Sequence, residues 1–154
     1  ELLEELRAEG YLKKERGERK KQKLPATKPM RFFSSDGIEM LVGKNNAQND
    51  ALTFKTALPN ETWLHAKNMP GSHVIIRREG EPPERTLREA AVLAAFYSKA
   101  RGSENVPIDY TPRKFVKKPA GAKPGMVIYT TNRTLYVTPD EALIKRMREA
   151  AQGE

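Results

Sequence analysis

The stretch from Thr62 to Arg77 constrains this chain most, because it gathers the only tryptophan, both histidines and a Pro-Gly pair. Trp63, His65 and Lys67 alternate with Leu64 and Ala66, the period of a half-buried strand. Met69-Pro70-Gly71-Ser72 reads as a turn, since proline fixes one φ and glycine is free to take a positive one. Val74-Ile75-Ile76 has the β-branched, apolar character of a buried return strand. The spacing predicts a hairpin that brings His65, Lys67, His73 and Arg77 into one neighbourhood. Whether they share a face depends on register.

A chain of 154 residues suffices for one domain with an appendage. Its net charge of +8 and pI of about 9.7 favour a polyanionic partner, nucleic acid or an anionic membrane surface. No apolar run approaches the ~20 residues that span a bilayer, and the charged start is unlike a secretion signal. A cytoplasmic protein without a membrane partner is expected. The absence of cysteine excludes disulfides, thiolate catalysis and Cys-ligated zinc.

The charge is uneven. Between Lys13 and Arg31, nine Lys or Arg stand against two Glu, whereas residues 32–154 hold 18 basic and 14 acidic residues. A second island carries Arg113, Lys114, Lys117, Lys118 and Lys123 with no acid between them. Two concentrated patches on a nearly balanced body read as binding surfaces.

Residues 1–30 read as the end of a longer amphipathic or coiled-coil helix followed by a basic linker, and residues 31–154 as the globular domain. Arg31–Ser34 and Ile38–Val42 flank Ser35-Asp36-Gly37, an Asp-Gly hairpin signal. Gly43-Lys44-Asn45-Asn46 leads into a helix over Ala47–Thr56, with Asn45 or Asn46 as N-cap. Strand, glycine, lysine and helix start in that order suit either a phosphate cradle or an ordinary connection. Thr86 and Glu89 suggest a capping box for a helix from Leu87 to about Arg101, closed by Gly102. Leu87, Ala90, Ala91, Ala94 and Tyr97 form its core stripe. Strands are expected at Phe115-Val116, Met126–Tyr129 and Thr134–Val137, and Thr138, Pro139 and Glu141 open a last helix reaching about Ala151. The fold class is α+β: a mainly antiparallel sheet of hairpins with one long packed helix and a C-terminal helix, preceded by the coiled-coil end.

His65 and His73 could act as an acid/base pair or as metal ligands, but no third ligand stands beside them. Hydrogen-bonded structural histidines are the commoner case, and no metal or cofactor is expected. Trp63 suits the core better than base stacking. Asn49 and Asp50 fix the helix start. The loop Lys117–Gly125 combines lysines with Gly and Pro, so its backbone can approach a phosphate closely. The candidate polyanion contacts are Lys44, Asn45, His65, Lys67, His73, Arg77, Arg113, Lys114, Lys117, Lys118 and Lys123.

Four motifs together resemble one known family. They are Phe33-Ser34-Ser35-Asp36-Gly37, Val42-Gly43-Lys44-Asn45-Asn46-Ala47-Gln48-Asn49-Asp50, Trp63-Leu64-His65-Ala66-Lys67-Asn68-Met69-Pro70-Gly71-Ser72-His73-Val74 and Gly121-Ala122-Lys123-Pro124-Gly125. The segment from Arg31 to Val137 is similar to the NFACT-R domain. That domain is the C-terminal module of the ribosome-associated quality-control factors RqcH and NEMF, whose bacterial members were often labelled fibronectin-binding proteins. The resemblance implies an RNA-binding module rather than an enzyme. Its expected partners are the rRNA of stalled large ribosomal subunits, tRNA and the other domains of the same protein. Such proteins support addition of a C-terminal alanine tail, the peptidyl-transfer chemistry being ribosomal. Two other readings stand beside it. One is a phosphoryl-transfer or hydrolytic enzyme using His65 and His73 near Gly43-Lys44, and the other is a surface fibronectin-binding adhesin.

Overall fold

A computed structural model describes residues 28–153. The expected coiled-coil end and most of the basic linker lie outside the described residues. The expected α+β architecture is present, with helices on one face of an antiparallel sheet. β1 (Met30–Phe33) and β2 (Glu39–Val42) form the Asp-Gly hairpin, in which Gly37 takes φ +79° and donates to the Ser34 carbonyl. α1 (Asn46–Ala51) runs into a wider π-turn, Leu52–Thr56. β3 (Glu61–Ala66) and β4 (Val74–Glu79) form the tryptophan hairpin, and α2 (Glu84–Phe96) follows. β5 (Val106–Pro112), the ribbon β6 (Val116–Lys117) with β7 (Ile128–Tyr129), β8 (Arg133–Val137) and α3 (Glu141–Gln152) complete the chain.

The main sheet has the order β1-β2-β4-β3-β5-β8, and every neighbouring pair is antiparallel. Register sorts its side chains into two cores. Leu41 lies opposite Ile75, Ile75 opposite Trp63, and Trp63 opposite Thr111. Leu41, Trp63 and Ile75 share one core with Leu52 and Val116. Met40, Val42, Leu64, Val74 and Ile76 belong to the other, beneath α2 and α3. β3 is therefore buried along both faces except at His65, and the expected half-buried strand is corrected. Alternation of polar and apolar types misled here because Glu61 and Thr62 are buried along with their apolar neighbours.

Two expectations for α2 also change. Pro83 is its N-cap and offers no side-chain cap, so Thr86 and Glu89 form no capping box. They bind the β1–β2 turn instead. Thr86 Oγ1 donates to Asp36 Oδ2 at 2.8 Å, and Glu89 accepts from Ser35 N and Oγ at 2.7 and 2.6 Å. The helix stops at Phe96 rather than near Arg101. Ser72 N–H bonds the Tyr97 carbonyl and Lys99 N–H the Pro70 carbonyl, so the tryptophan-hairpin loop draws the chain out of the helix.

β5 has no counterpart among the expected strands, although it lies between β3 and β8. Pro107 and Pro112 lack a ladder donor and Asp109 is a poor strand former, which hides the strand from local reading. α3 starts later than expected. Asp140 is its N-cap and accepts from Leu143 N at 3.2 Å, while Thr138 Oγ1 accepts from Asn105 N.

Ala94 is fully buried where α2 meets the sheet. Ala94→Leu is expected to destabilise the fold by about 1–3 kcal/mol through overpacking. Urea unfolding checks this: the midpoint should fall at an unchanged slope.

Candidate nucleic-acid interface

The face of the sheet opposite α2 is covered by short, irregular segments rather than by a long helix. Leu52, Val116, Val127 and Tyr129 supply the apolar cover for Trp63, and side-chain hydrogen bonds hold the rest. Asn45 caps α1 by accepting from Gln48 N at 2.9 Å, and Gln48 Oε1 accepts from Lys44 N at 2.8 Å. Gly43 N–H donates to the His73 carbonyl at 3.2 Å. These donors are thus already used, which favours the ordinary connection over a phosphate cradle. Gly43 is needed for close approach: a Cβ there would overlap Asn49 Oδ1, which accepts from His73 N at 3.1 Å.

Asp50 docks the β6–β7 loop on α1. It accepts from Gly125 N at 2.9 Å and pairs with Lys118 Nζ at 3.2 Å. Lys118 Nζ also donates to the carbonyls of Lys123 and Met126 at 2.8 and 3.1 Å. A second carboxylate, Asp109, is buried and sits opposite both His65 and Thr134. It accepts from Thr134 Oγ1 at 2.6 Å and Tyr129 OH at 2.5 Å, and pairs with Lys67 Nζ at 3.2 Å. Sequence reading missed it. The available signal was one acid inside the alternating run Val106-Pro107-Ile108-Asp109-Tyr110.

The structure separates the hairpin cations. His65 and His73 meet edge to face at 5.4 Å beside Trp63, and Lys67 joins Asp109 nearby. Arg77 lies toward the other end of the hairpin, bonded to buried Glu61 at 2.6 Å and to the Thr56 carbonyl. Arg113 donates to the Thr53 carbonyl and lies over the Phe54 ring. Lys67, Arg77, Arg113 and Lys118 therefore spend part of their donor capacity on the fold. Lys44, Lys114, Lys117 and Lys123 are exposed and paired with no carboxylate among the described residues, and so is Lys55, which sequence reading overlooked.

Charge is segregated between the two layers. In residues 43–57 and 113–126, seven cations stand against the single acid Asp50. The α2 side balances to zero: residues 80–104 hold four Lys or Arg and four Glu, and residues 139–153 three cations and three acids. One covering layer is basic and the other is neutral.

Residues 28–131 match the family of the NFACT protein RNA binding domain. The chain belongs to this family. The Rqc2 homolog RqcH of Bacillus subtilis is 44% identical over 151 residues, which is 97% of this chain and 26% of that protein. RqcH of Streptococcus suis is 48% identical over 151 residues, covering 96% of this chain and 26% of that protein. The ribosome quality control complex subunit NEMF of Homo sapiens is 32% identical over 71 residues, 45% of this chain and 7% of that protein. A solved structure of the C-terminal part of the fibronectin/fibrinogen-binding protein from Streptococcus suis superposes with a TM-score of 0.78 at 47% identity, over 90% of this chain and 55% of that one. The chain thus spans about a quarter of the length of its RqcH relatives.

The histidines of this NFACT-R domain have a structural setting. His73 is fully buried, and its Nδ1 lies 2.7 Å from Thr53 Oγ1. Burial first, and then the neighbouring His65, push its pKa from 6.5 to about 3. His65 is lowered as well by burial, against the Gly71 and Ala66 carbonyls and Asp109. Burial alone would raise Asp109, but hydrogen bonds from Thr134, Tyr129 and Lys67 hold it below the usual carboxylate value. Among the described residues, no helix is long and apolar enough to cross a membrane, and no group of three His, Asp or Glu is placed to hold a metal.

Below pH 6.5 the unfolded chain takes up a proton at residue 73 that the folded chain refuses until about pH 3. Stability is complete above that window and falls with pH inside it, by at most about 1.4 kcal/mol per unit for this one proton. Urea midpoints measured from pH 7.5 to 4.5 should decline, and His73→Gln should flatten the decline. A flat profile in the parent chain would contradict the buried, neutral imidazole.

Proposed function

We propose that this domain binds structured RNA, tRNA or large-subunit rRNA, by receiving the ribose-phosphate backbone on the basic layer. The observation that carries this reading is the segregation of seven cations against one acid on one face, opposite a neutral helical face. A layer of this kind neutralises phosphates and releases condensed counterions, giving affinity without base readout. Lys44, Lys55, Lys114, Lys117 and Lys123 are the chief phosphate contacts, since no carboxylate of the described residues offsets them. Asn45 and the paired cations Lys67, Arg77 and Lys118, with Arg113, set the shape of that layer. His65 and His73 stiffen its base beneath Trp63 and serve no proton transfer.

In a full-length protein of the RqcH type, such a domain would help to hold an obstructed large subunit and its tRNA in the cytoplasm. Alanine tailing would then draw its peptidyl-transfer chemistry from the ribosome, with this domain a binding module. The sequence places eight further cations between Lys13 and Lys28, ahead of β1 in the chain. A second reading, adhesion to fibronectin or fibrinogen, draws on the name of the Streptococcus suis protein. It requires saturable fibronectin binding that tRNA does not displace.

A salt titration tests the proposal. For the parent chain, log affinity for tRNA should fall linearly with log salt. Replacing Lys44, Lys55, Lys114, Lys117 and Lys123 together by Gln should shrink that slope by about 0.7–0.9 per lost phosphate contact and weaken binding more than roughly tenfold near 0.1 M salt. An unchanged slope and affinity in the folded variant would overturn the reading.

A further inference from the structure

A cleft of about 990 Å³ opens on the helix-covered side, at the end of the sheet where α2 begins. The proposal concerning it rests on the RNA reading above but uses a different part of the surface. Thr62 lies in its wall, at the register shift between Glu61 and Thr62 that interrupts the β3–β4 ladder. This threonine is only 6% exposed as a residue, and its hydroxyl, which bonds no described residue, keeps its access to the cleft. Two partly exposed rings, Tyr110 and Phe115, line the same space. A hydroxyl open to the cleft and bonded to no described residue, beside two aromatic faces, is a setting for a flat polar ligand.

The charges around the cleft narrow its class. Arg78 and Arg133 line it together with Glu79, Glu81 and Glu84, and none of the five pairs with another described residue. Three carboxylates against two guanidiniums disfavour a phosphate. They suit the uncharged part of a nucleotide, because a carboxylate accepts from the N–H groups of a base and a guanidinium stacks on its face. The cleft also adjoins the basic layer. Phe115 belongs to both, since Lys114 precedes it and holds its ammonium 5.5 Å from that ring.

We infer that this cleft receives one unstacked nucleobase from a strand whose backbone lies along the basic layer. Tyr110 and Phe115 supply the stacking faces, Thr62 Oγ1 hydrogen-bonds the base edge, and the rim carboxylates turn the phosphate outward toward Lys114. Single-stranded or looped RNA then gains a contact that a fully paired duplex lacks.

The test is a nuclear magnetic resonance titration of the whole chain with uncharged nucleosides, with inorganic phosphate and with a single-stranded oligonucleotide. Nucleosides should shift the resonances of Thr62, Tyr110 and Phe115 saturably, and inorganic phosphate should leave them in place. Thr62→Val, which keeps the side-chain shape, should weaken nucleoside binding about two- to tenfold. Phe115→Leu should weaken the oligonucleotide about fivefold or more without changing its salt slope. Oligonucleotide shifts confined to the basic layer, or equal cleft shifts with inorganic phosphate, would overturn the cleft while leaving RNA binding intact. Nucleoside shifts at the cleft without any RNA affinity would keep the cleft and remove the RNA reading. A silent cleft with no RNA affinity would remove both.

Discussion

Burial of β3 on both faces is the constraint from which the rest of this domain follows. Trp63 has no exposure, so the sheet needs a second cover in addition to its helices. A sheet face holding a tryptophan, two histidines and a buried carboxylate does not suit a uniform apolar helix. Its cover is assembled from short segments whose polar groups are satisfied one by one. Asn45 and Gln48 close the start of α1, Asn49 reaches His73, Asp50 and Lys118 pin the β6–β7 loop, and Tyr129 and Lys67 answer Asp109. These ties fix the backbone and leave the remaining lysines pointing into solvent.

That division of labour links fold to function. Buried or half-buried cations stabilise the cover, and exposed ones give it its field. Breaking a tie such as Asp50–Lys118 is distinct from removing an exposed lysine, because the first also releases Gly125 and the loop carbonyls. The helical layer carries more ionisable groups, but they balance, so its surface has no net pull on a polyanion. On the proposed reading, affinity for RNA arises from where the charge sits more than from the total of +8.

Much of this was legible in the sequence. The Asp-Gly hairpin, the Asn45 cap, the alanine stripe of α2 and the final helix each follow from local chemistry. What escaped was decided by tertiary partners. Thr86 and Glu89 have the spacing of a capping box, yet the β1–β2 turn claims both side chains. β5 carries two prolines and an aspartate, which signal a loop until Thr134, Tyr129 and Lys67 are seen to satisfy that carboxylate. The basic island was visible as composition, but which of its lysines are free depends on Asp50, 68 residues away in sequence from Lys118 and in contact with it. Lys55 was hidden for a related reason, since a lone lysine on a short helix gains meaning only from the layer it joins.

On the proposed reading, RNA meets the basic cover and not the helical one. Photocrosslinking of the chain to tRNA, followed by identification of the modified peptides, addresses it most directly. Adducts should concentrate in residues 44–55 and 114–123. Adducts concentrated instead on α2 and α3, around Arg85, Arg88, Lys145 and Arg146, would contradict the account.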